Sequence, residues 1–234
     1  MQTAQSIARF AGLLADRSRV AICLALLDGR AWTAGELARH ARIGRSTASE
    51  HITLLVGAGL LTERRQGRHR YLCLAGPHVA QLIEDLGAAV GEPERPMSLR
   101  AVRAAGQLAA ARTCYDHLAG ALGVALFDAL VAAGFIAVRD GLVLTPAGRD
   151  WFTGLAGDAA LRARGSRPLV RACLDWTERR DHLGGLLGAV LCRQFVERGW
   201  LNQVRNSRAV TVTPAGGRAL SGLGVRVPAV CQAA

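Results

Sequence analysis

The stretch ELARHARIGRSTASEHITLLVGAGLL, residues 36–61, sets two short helical patterns on either side of Ile43 and Gly44. The first pattern opens at Thr33 with Glu36 three positions on, which is a capping-box spacing. In the second, Ile52, Leu55 and Val56 share one face, while Ser46, Thr47, Ser49, Glu50 and His51 point elsewhere. Two short helices around a tight glycine-containing turn make a helix-turn-helix, whose second helix suits a DNA major groove. Working outward, GLLTERRQGRHRYLCL alternates about Gln66 and Gly67 and predicts a hairpin. Arg64, Arg65, Arg68, Arg70 and His69 crowd that hairpin into a basic wing suited to phosphates and a narrow minor groove. Upstream, residues 3–15 and 17–29 carry helical periodicity, with Asp16 placed to cap the second helix and Gly29 to end it. Downstream, a helix over 78–90 presents Val79, Leu82, Ile83 and Leu86 as its apolar stripe.

In that order of elements, LLADRSRVAICLALL, ELARHARIGRSTASEHITLLVGAGLLTERRQGRHRYLCL and the GAGLL turn resemble the ArsR/SmtB family of winged-helix repressors over about residues 6–90. The resemblance implies a homodimer on a two-fold double-stranded DNA operator, repressing its target until an effector binds. It also implies dimer pairing through the first and last helices of the unit, here the stripes 7–14 and 79–86. The family's thiolate metal motif falls on the helix ELARHARI, which has no cysteine. Its other site needs Asp and His pairs that His78, Glu84 and Asp85 do not reproduce in spacing. Neither metal site carries over. The DNA-contacting set read from the motif is Arg45, Ser46, Thr47, Ser49, Glu50 and His51 on the second helix, with the wing arginines and His69. Ser46, Thr47, Ser49 and His51 have a plainer reading as a cap and a solvated face. Glu50 either accepts from a cytosine amino group or pairs with Arg45 or His51.

The formal net charge is +11, and all 29 basic residues are arginine, which points to an anionic partner, nucleic acid before membrane surface. Arg9, Asp16, Arg17 and Arg19 break up the N-terminus, so no signal peptide is expected. The most apolar run, residues 118–138, holds Asp128 at its centre. A carboxylate costs roughly 3 kcal/mol at mid-bilayer. A cytoplasmic protein with free thiols at its six cysteines, and without a membrane partner, is the expectation.

GEPERPMS, residues 91–98, reads as a linker between a winged helix-turn-helix and dimerisation domain over 1–90 and a second domain over 99–234. A long helical pattern, LRAVRAAGQLAAARTCYDHLAG, opens the second domain, and the chain then repeats itself. DHLAGALGVALFDALVAAGFI ends in GLVLTPAGRDW, and DHLGGLLGAVLCRQFVERGWL ends in AVTVTPAGGRAL. Each phrase predicts helix, hairpin, helix, with Thr145 or Thr213 as cap and Pro146 or Pro214 in the first turn. The expected fold is therefore mainly α with small β-hairpin wings. An N-terminal winged helix-turn-helix precedes a duplicated domain of two degenerate winged-helix-like repeats, which serves effector sensing or dimer support. Gly120 and Gly123, like Gly185 and Gly188, are expected to let a partner helix approach closely.

Cys114 and His117 would share a helix face, and Cys173 and His182 precede and enter the second equivalent helix. Two sulfurs and two imidazoles suit a soft metal such as zinc. A redox pair, a small-molecule cavity near Tyr115, Asp175 and Trp176, and a purely structural role with no cofactor stay open. The unequal spacings, CxxH against Cx₈H, weaken symmetry as an argument for coordination. The function expected is a sequence-specific DNA-binding transcriptional regulator answering to an unidentified effector or metal. It stands against a metal-dependent enzyme and an interaction scaffold of winged helices. No phosphate-binding glycine loop, nucleophile elbow or paired-carboxylate pattern supports an enzyme.

Overall fold

In a computed structural model of the chain, which describes residues 3–66, 69–90, 99–162, 167–205 and 207–231, the capping box at Thr33 is formed. The Glu36 N–H donates to Thr33 Oγ1 at 3.3 Å, and the Thr33 N–H donates to Glu36 Oε2 at 2.8 Å. This box starts α3 (Ala34–Ala41), which ends on Arg42 in the left-handed region at φ 56°. Gly44 then caps α4 (Arg45–Gly57) through its backbone alone. Before them come α1 (Ala4–Leu13) and α2 (Arg17–Leu26), the latter capped by Asp16, whose Oδ1 accepts from the Arg19 N–H at 2.9 Å. Gly59, at φ 73°, closes α4 and turns the chain into a buried Leu60–Leu61 step.

The wing follows as β2 (Leu61–Gln66) antiparallel to β3 (His69–Leu74), in a register that sets Arg65 opposite Arg70. A two-residue strand, β1 (Trp32–Thr33), joins β3 on its other edge and was not foreseen. α5 (Pro77–Val90) completes this part of the chain. The core of the helix-turn-helix is apolar as its periodicity requires, with Ile22, Leu26, Leu37, Ile52 and Leu55 essentially without solvent exposure.

The chain divides into two compact units, residues 1–84 and 85–234. The expected linker, 91–98, lies outside the described residues. In the second unit α6 (Leu99–Ala110) ends before the repeated phrase. The phrase itself opens as a hairpin, β4 (Arg112–Cys114) with β5 (His117–Ala119), and so the helix expected through Cys114 and His117 is replaced by paired strands. Then come α7 (Gly120–Ala132), β6 (Ile136–Arg139), β7 (Gly141–Leu144) and α8 (Pro146–Ala156). After a 3-10 turn the same order of elements returns as β8 (Arg171–Leu174), β9 (Asp181–Gly184), α9 (Gly185–Glu197), β10 (Leu201–Gln203), β11 (Val210–Val212) and α10 (Pro214–Gly222). Each half is thus hairpin, helix, hairpin, helix. Among the described residues neither contains a helix-turn-helix, and each begins with a hairpin, β4–β5 or β8–β9, that was not expected.

α7 lies against β9, and α9 lies against β5, so each long helix covers the other half's hairpin. Leu118, Leu122, Leu126 and Phe152 from one half meet Leu183, Leu187, Leu191 and Phe195 from the other in one core. Thr145 and Thr213 cap α8 and α10, accepting from the Gly148 and Gly216 N–H groups at 2.9 and 3.0 Å. Gly123 and Gly188 meet the backbone of the strand that precedes their own helix, whereas Gly120 faces the Ala109 and Leu108 carbonyls at the end of α6, so the expected close approach of a second helix is met at Gly120. A Cβ on Gly123 would stand 2.5 Å from the Leu118 carbonyl oxygen, and one on Gly188 would stand 2.2 Å from that of Leu183. Since these neighbours are main chain, they cannot swing aside. We expect Gly188→Ala to cost about 1–3 kcal/mol as an overpacking substitution. Urea unfolding followed by far-UV circular dichroism reads it, and an unchanged midpoint would contradict this packing.

Candidate functional site

The first candidate surface is the outer face of α4 with the wing. Arg45, Ser46, Thr47, Ser49 and Glu50 are exposed, while Ala48, Ile52 and Leu55 anchor the opposite face. Because Gly44 caps the helix without a side chain, the hydroxyls of Ser46 and Thr47 are not spent on capping. His51 departs from the expected set. Its side chain is turned inward, with Nε2 3.7 Å from Asp16 Oδ1, so it braces α4 against the start of α2.

On the wing, Arg64 and Arg65 are exposed. Arg70 is held by Glu63 across the ladder, an ion pair that also draws on Arg65, whose Nε lies 3.9 Å from Glu63 Oε1. Arg68 lies outside the described residues. His69 is described only as the backbone partner of Gln66. Among the described residues the wing thus presents two outward arginines and one whose charge Glu63 already answers in part.

The second candidate site is in the other unit, where the two short hairpins face one another. Cys114 is paired in register with His117, and Cys173 with His182. Two residues separate the first pair in the chain and eight the second, yet both are direct cross-strand neighbours. The extra length sits in the β8–β9 turn and leaves the register untouched. The unequal spacing that counted against symmetry is therefore a loop insertion.

All four side chains are buried, and one ligand-type atom from each lies within 4.8 Å of the others. The sulfurs of Cys114 and Cys173 are 3.8 Å apart, and the rings of His117 and His182 stack with centroids 5.1 Å apart. His117 Nε2 and both ring nitrogens of His182 are buried without a hydrogen-bond partner among the described residues.

Two carboxylates frame this cluster. Asp116 Oδ1 is 3.4 Å from His117 Nδ1, and Asp175 Oδ2 is 3.4 Å from His182 Nδ1. Each carboxylate is fixed by an arginine. Arg167 makes a two-pronged bond to Asp116 at 2.6 and 2.9 Å and also donates to the Gly185 carbonyl. Arg112 lies 3.0 Å from Asp175, with its guanidinium 4.6 Å from the centre of the Trp176 ring. Asp175 further accepts from Gly120 N–H at 2.7 Å and from Thr177 Oγ1 at 2.6 Å. Asp175 and Trp176, read from sequence as lining for a small-molecule cavity, are instead consumed in holding Arg112.

Burial would raise the Asp175 pKa, but Arg112, Thr177 and the N–H groups of Gly120 and Glu178 hold it well below the usual carboxylate range. Asp116 is brought down to about 2, since His117 and Arg167 outweigh its burial. The Cys173 thiol is lowered first by a hydrogen bond from Cys114 and then, against burial, by the two histidines. Burial would lower His117, yet Asp116 and Cys173 lift it to about 9. By contrast, burial alone pushes Cys23 up to about 11, so that thiol behaves as a core residue. The sequence pattern names Cys114, His117, Cys173 and His182 but not Arg112, Asp116 or Arg167. The recurring Asp-His step at 116–117 and 181–182 was the available signal, although the second carboxylate is supplied by Asp175 rather than Asp181.

Comparison with known proteins bears on both units. Residues 14–64 match the family model described as a helix-turn-helix domain. The chain is 38% identical over 212 residues to the uncharacterized HTH-type transcriptional regulator YdfF of Bacillus subtilis (strain 168), a match covering 90% of this chain and 93% of that one. It is also 38% identical over 81 residues to the HTH-type transcriptional regulator CmtR of Mycobacterium tuberculosis (strain ATCC 25618 / H37Rv), covering 35% of this chain and 68% of the relative. The NMR structure of the cadmium metal-sensor CMTR from Mycobacterium tuberculosis superposes with a TM-score of 0.32 at 35% identity, over 39% of this chain and 96% of that one.

Proposed function

Because the chain belongs to the HTH-type transcriptional regulators, with an ArsR/SmtB-type winged helix at its front, we propose that it grips a two-fold operator as a homodimer. It represses the adjacent genes until an effector engages its second unit, and it carries out no chemistry of its own. Arg45, Ser46, Thr47, Ser49 and Glu50 on α4 read base edges in the major groove. Arg64, Arg65, Arg68 and His69 meet sugar and phosphate, and Arg70 makes a weaker contribution because Glu63 already balances it.

The observation that carries this reading is the exposed polar face of α4, whose hydroxyls serve no cap, beside a wing with two outward arginines. The dimer is supported by α1. It buries no residue in the single chain and leaves Ile7 and Phe10 exposed, as does Leu86 on α5. An amphipathic helix with its apolar face in water wants a second surface.

The test is sedimentation of the full chain with a duplex from its own promoter. Two chains per duplex, bound at sub-micromolar concentration and released as salt rises, is the expected outcome. A monomer that leaves the duplex free at low ionic strength would remove the proposal.

A further inference from the structure

We infer that Cys114, His117, Cys173 and His182 form a tetrahedral S2N2 site for a borderline-soft divalent cation of the zinc class. This goes beyond the DNA-binding reading and does not depend on it, since the site is built wholly within the second unit.

Three independent features of the cluster agree. The first is spacing. Two thiolates bound to zinc at about 2.3 Å and held at the tetrahedral angle stand roughly 3.8 Å apart. The Cys114 and Cys173 sulfurs are 3.8 Å apart, too far for a disulfide and at the separation of two ligands on one ion. The second is polarity. His117 and His182 are 5% and 1% exposed, and among the described residues the Nε2 of each is buried without a hydrogen-bond partner. A protein core leaves few such nitrogens unanswered, because an unsatisfied buried polar group costs about 1–3 kcal/mol. A cation answers both at once.

The third is what stands behind the rings. A metal-bound imidazole keeps its other nitrogen on a carboxylate, which fixes its tautomer and orientation. Here His117 Nδ1 is hydrogen-bonded to Asp116 at 3.4 Å and His182 Nδ1 stands 3.4 Å from Asp175, close but not hydrogen-bonded, which leaves the Nε2 atoms for the ion. Arg167 and Arg112 in turn lock the carboxylates. A redox pair of cysteines would need neither histidine nor this outer frame. The hairpin register explains how the four ligands meet. Each half supplies one cross-strand Cys–His pair, and each long helix lies against the other half's hairpin. An ion shared by two pairs therefore ties the halves together through side chains. The thiols bind as thiolates, so any proton they still carry leaves to solvent on loading.

The experiment uses the full chain, reduced and freed of metal by a chelator, then titrated with Co(II). We expect one Co(II) per chain, intense tetrahedral d–d bands and a sulfur-to-cobalt charge-transfer band. All of these should be displaced by Zn(II), absent in Cys114→Ser and Cys173→Ser, and retained in Cys192→Ala. Should the serine variants fail to fold, X-ray absorption of the Zn(II)-loaded wild-type chain decides. Two sulfurs at about 2.3 Å and two nitrogens at about 2.0–2.1 Å support the site. A shell of oxygen and nitrogen alone overturns it, as does a weak octahedral Co(II) spectrum, no bound metal, or full bands in folded serine variants.

Discussion

Asp175→Ala is expected to lower the unfolding free energy of the second unit by about 3–5 kcal/mol, because it strands a buried guanidinium. Arg112 and Asp175 are both without side-chain exposure, so neither can turn to water when the other is removed. The carboxylate also holds the N–H of Gly120, at the first residue of α7, and the hydroxyl of Thr177 in the β8–β9 turn. Its removal therefore loosens one half's helix start and the other half's hairpin together. Urea unfolding followed by tryptophan fluorescence reads this well, since Trp151, Trp176 and Trp200 all lie in the second unit. Adding Arg112→Leu should recover part of the loss, because the stranded charge goes with it. A single variant as stable as the wild type would show that the pair does not hold the halves.

The second large effect falls on DNA. Arg64→Ala combined with Arg65→Ala removes two wing arginines that are exposed among the described residues. On a dimer this deletes four phosphate contacts, so the slope of log affinity against log salt should shrink by about 3.6. Phosphate contacts carry no sequence information, and binding should weaken alike on the operator and on an unrelated duplex. Arg70→Ala should change the slope much less, because Glu63 already neutralises that side chain. Equal slopes in the double variant and the wild type would remove the wing from the interface.

The helix-turn-helix was legible because its signals are local. The Thr33 and Glu36 box, the Gly44 turn, the Gly59 stop and a period near 3.6 all fall within a few residues of what they determine. Ser46, Thr47, Ser49 and Glu50 are exposed on α4, and His51 is turned inward towards its partner Asp16, thirty-five positions away. The hairpins β4–β5 and β8–β9 were illegible for the opposite reason, while β6–β7 and β10–β11 had been expected. β4 and β5 have three residues each, too few to show alternation, and they follow an Ala- and Leu-rich helix whose period runs into them. Their turns carry no glycine: Tyr115 and Arg179 take the positive φ angles, 57° and 53°, that a reader would assign to Gly or Asn. The four clustered Cys and His residues could still be named from their types. Their common register could not, since only the paired strands reveal that spacings of two and eight residues are equivalent.

The claim at the centre of this account is that α4 lies along a duplex. The direct measurement places a photo-crosslinking benzoylphenylalanine at Ser46, on the exposed first turn of α4, and at Phe10 on α1 as a comparison. Illumination of the full chain on its promoter duplex should attach DNA at position 46, to bases near the centre of each half-site, and should join chain to chain at position 10. DNA attached from position 10 with none from position 46 would contradict it.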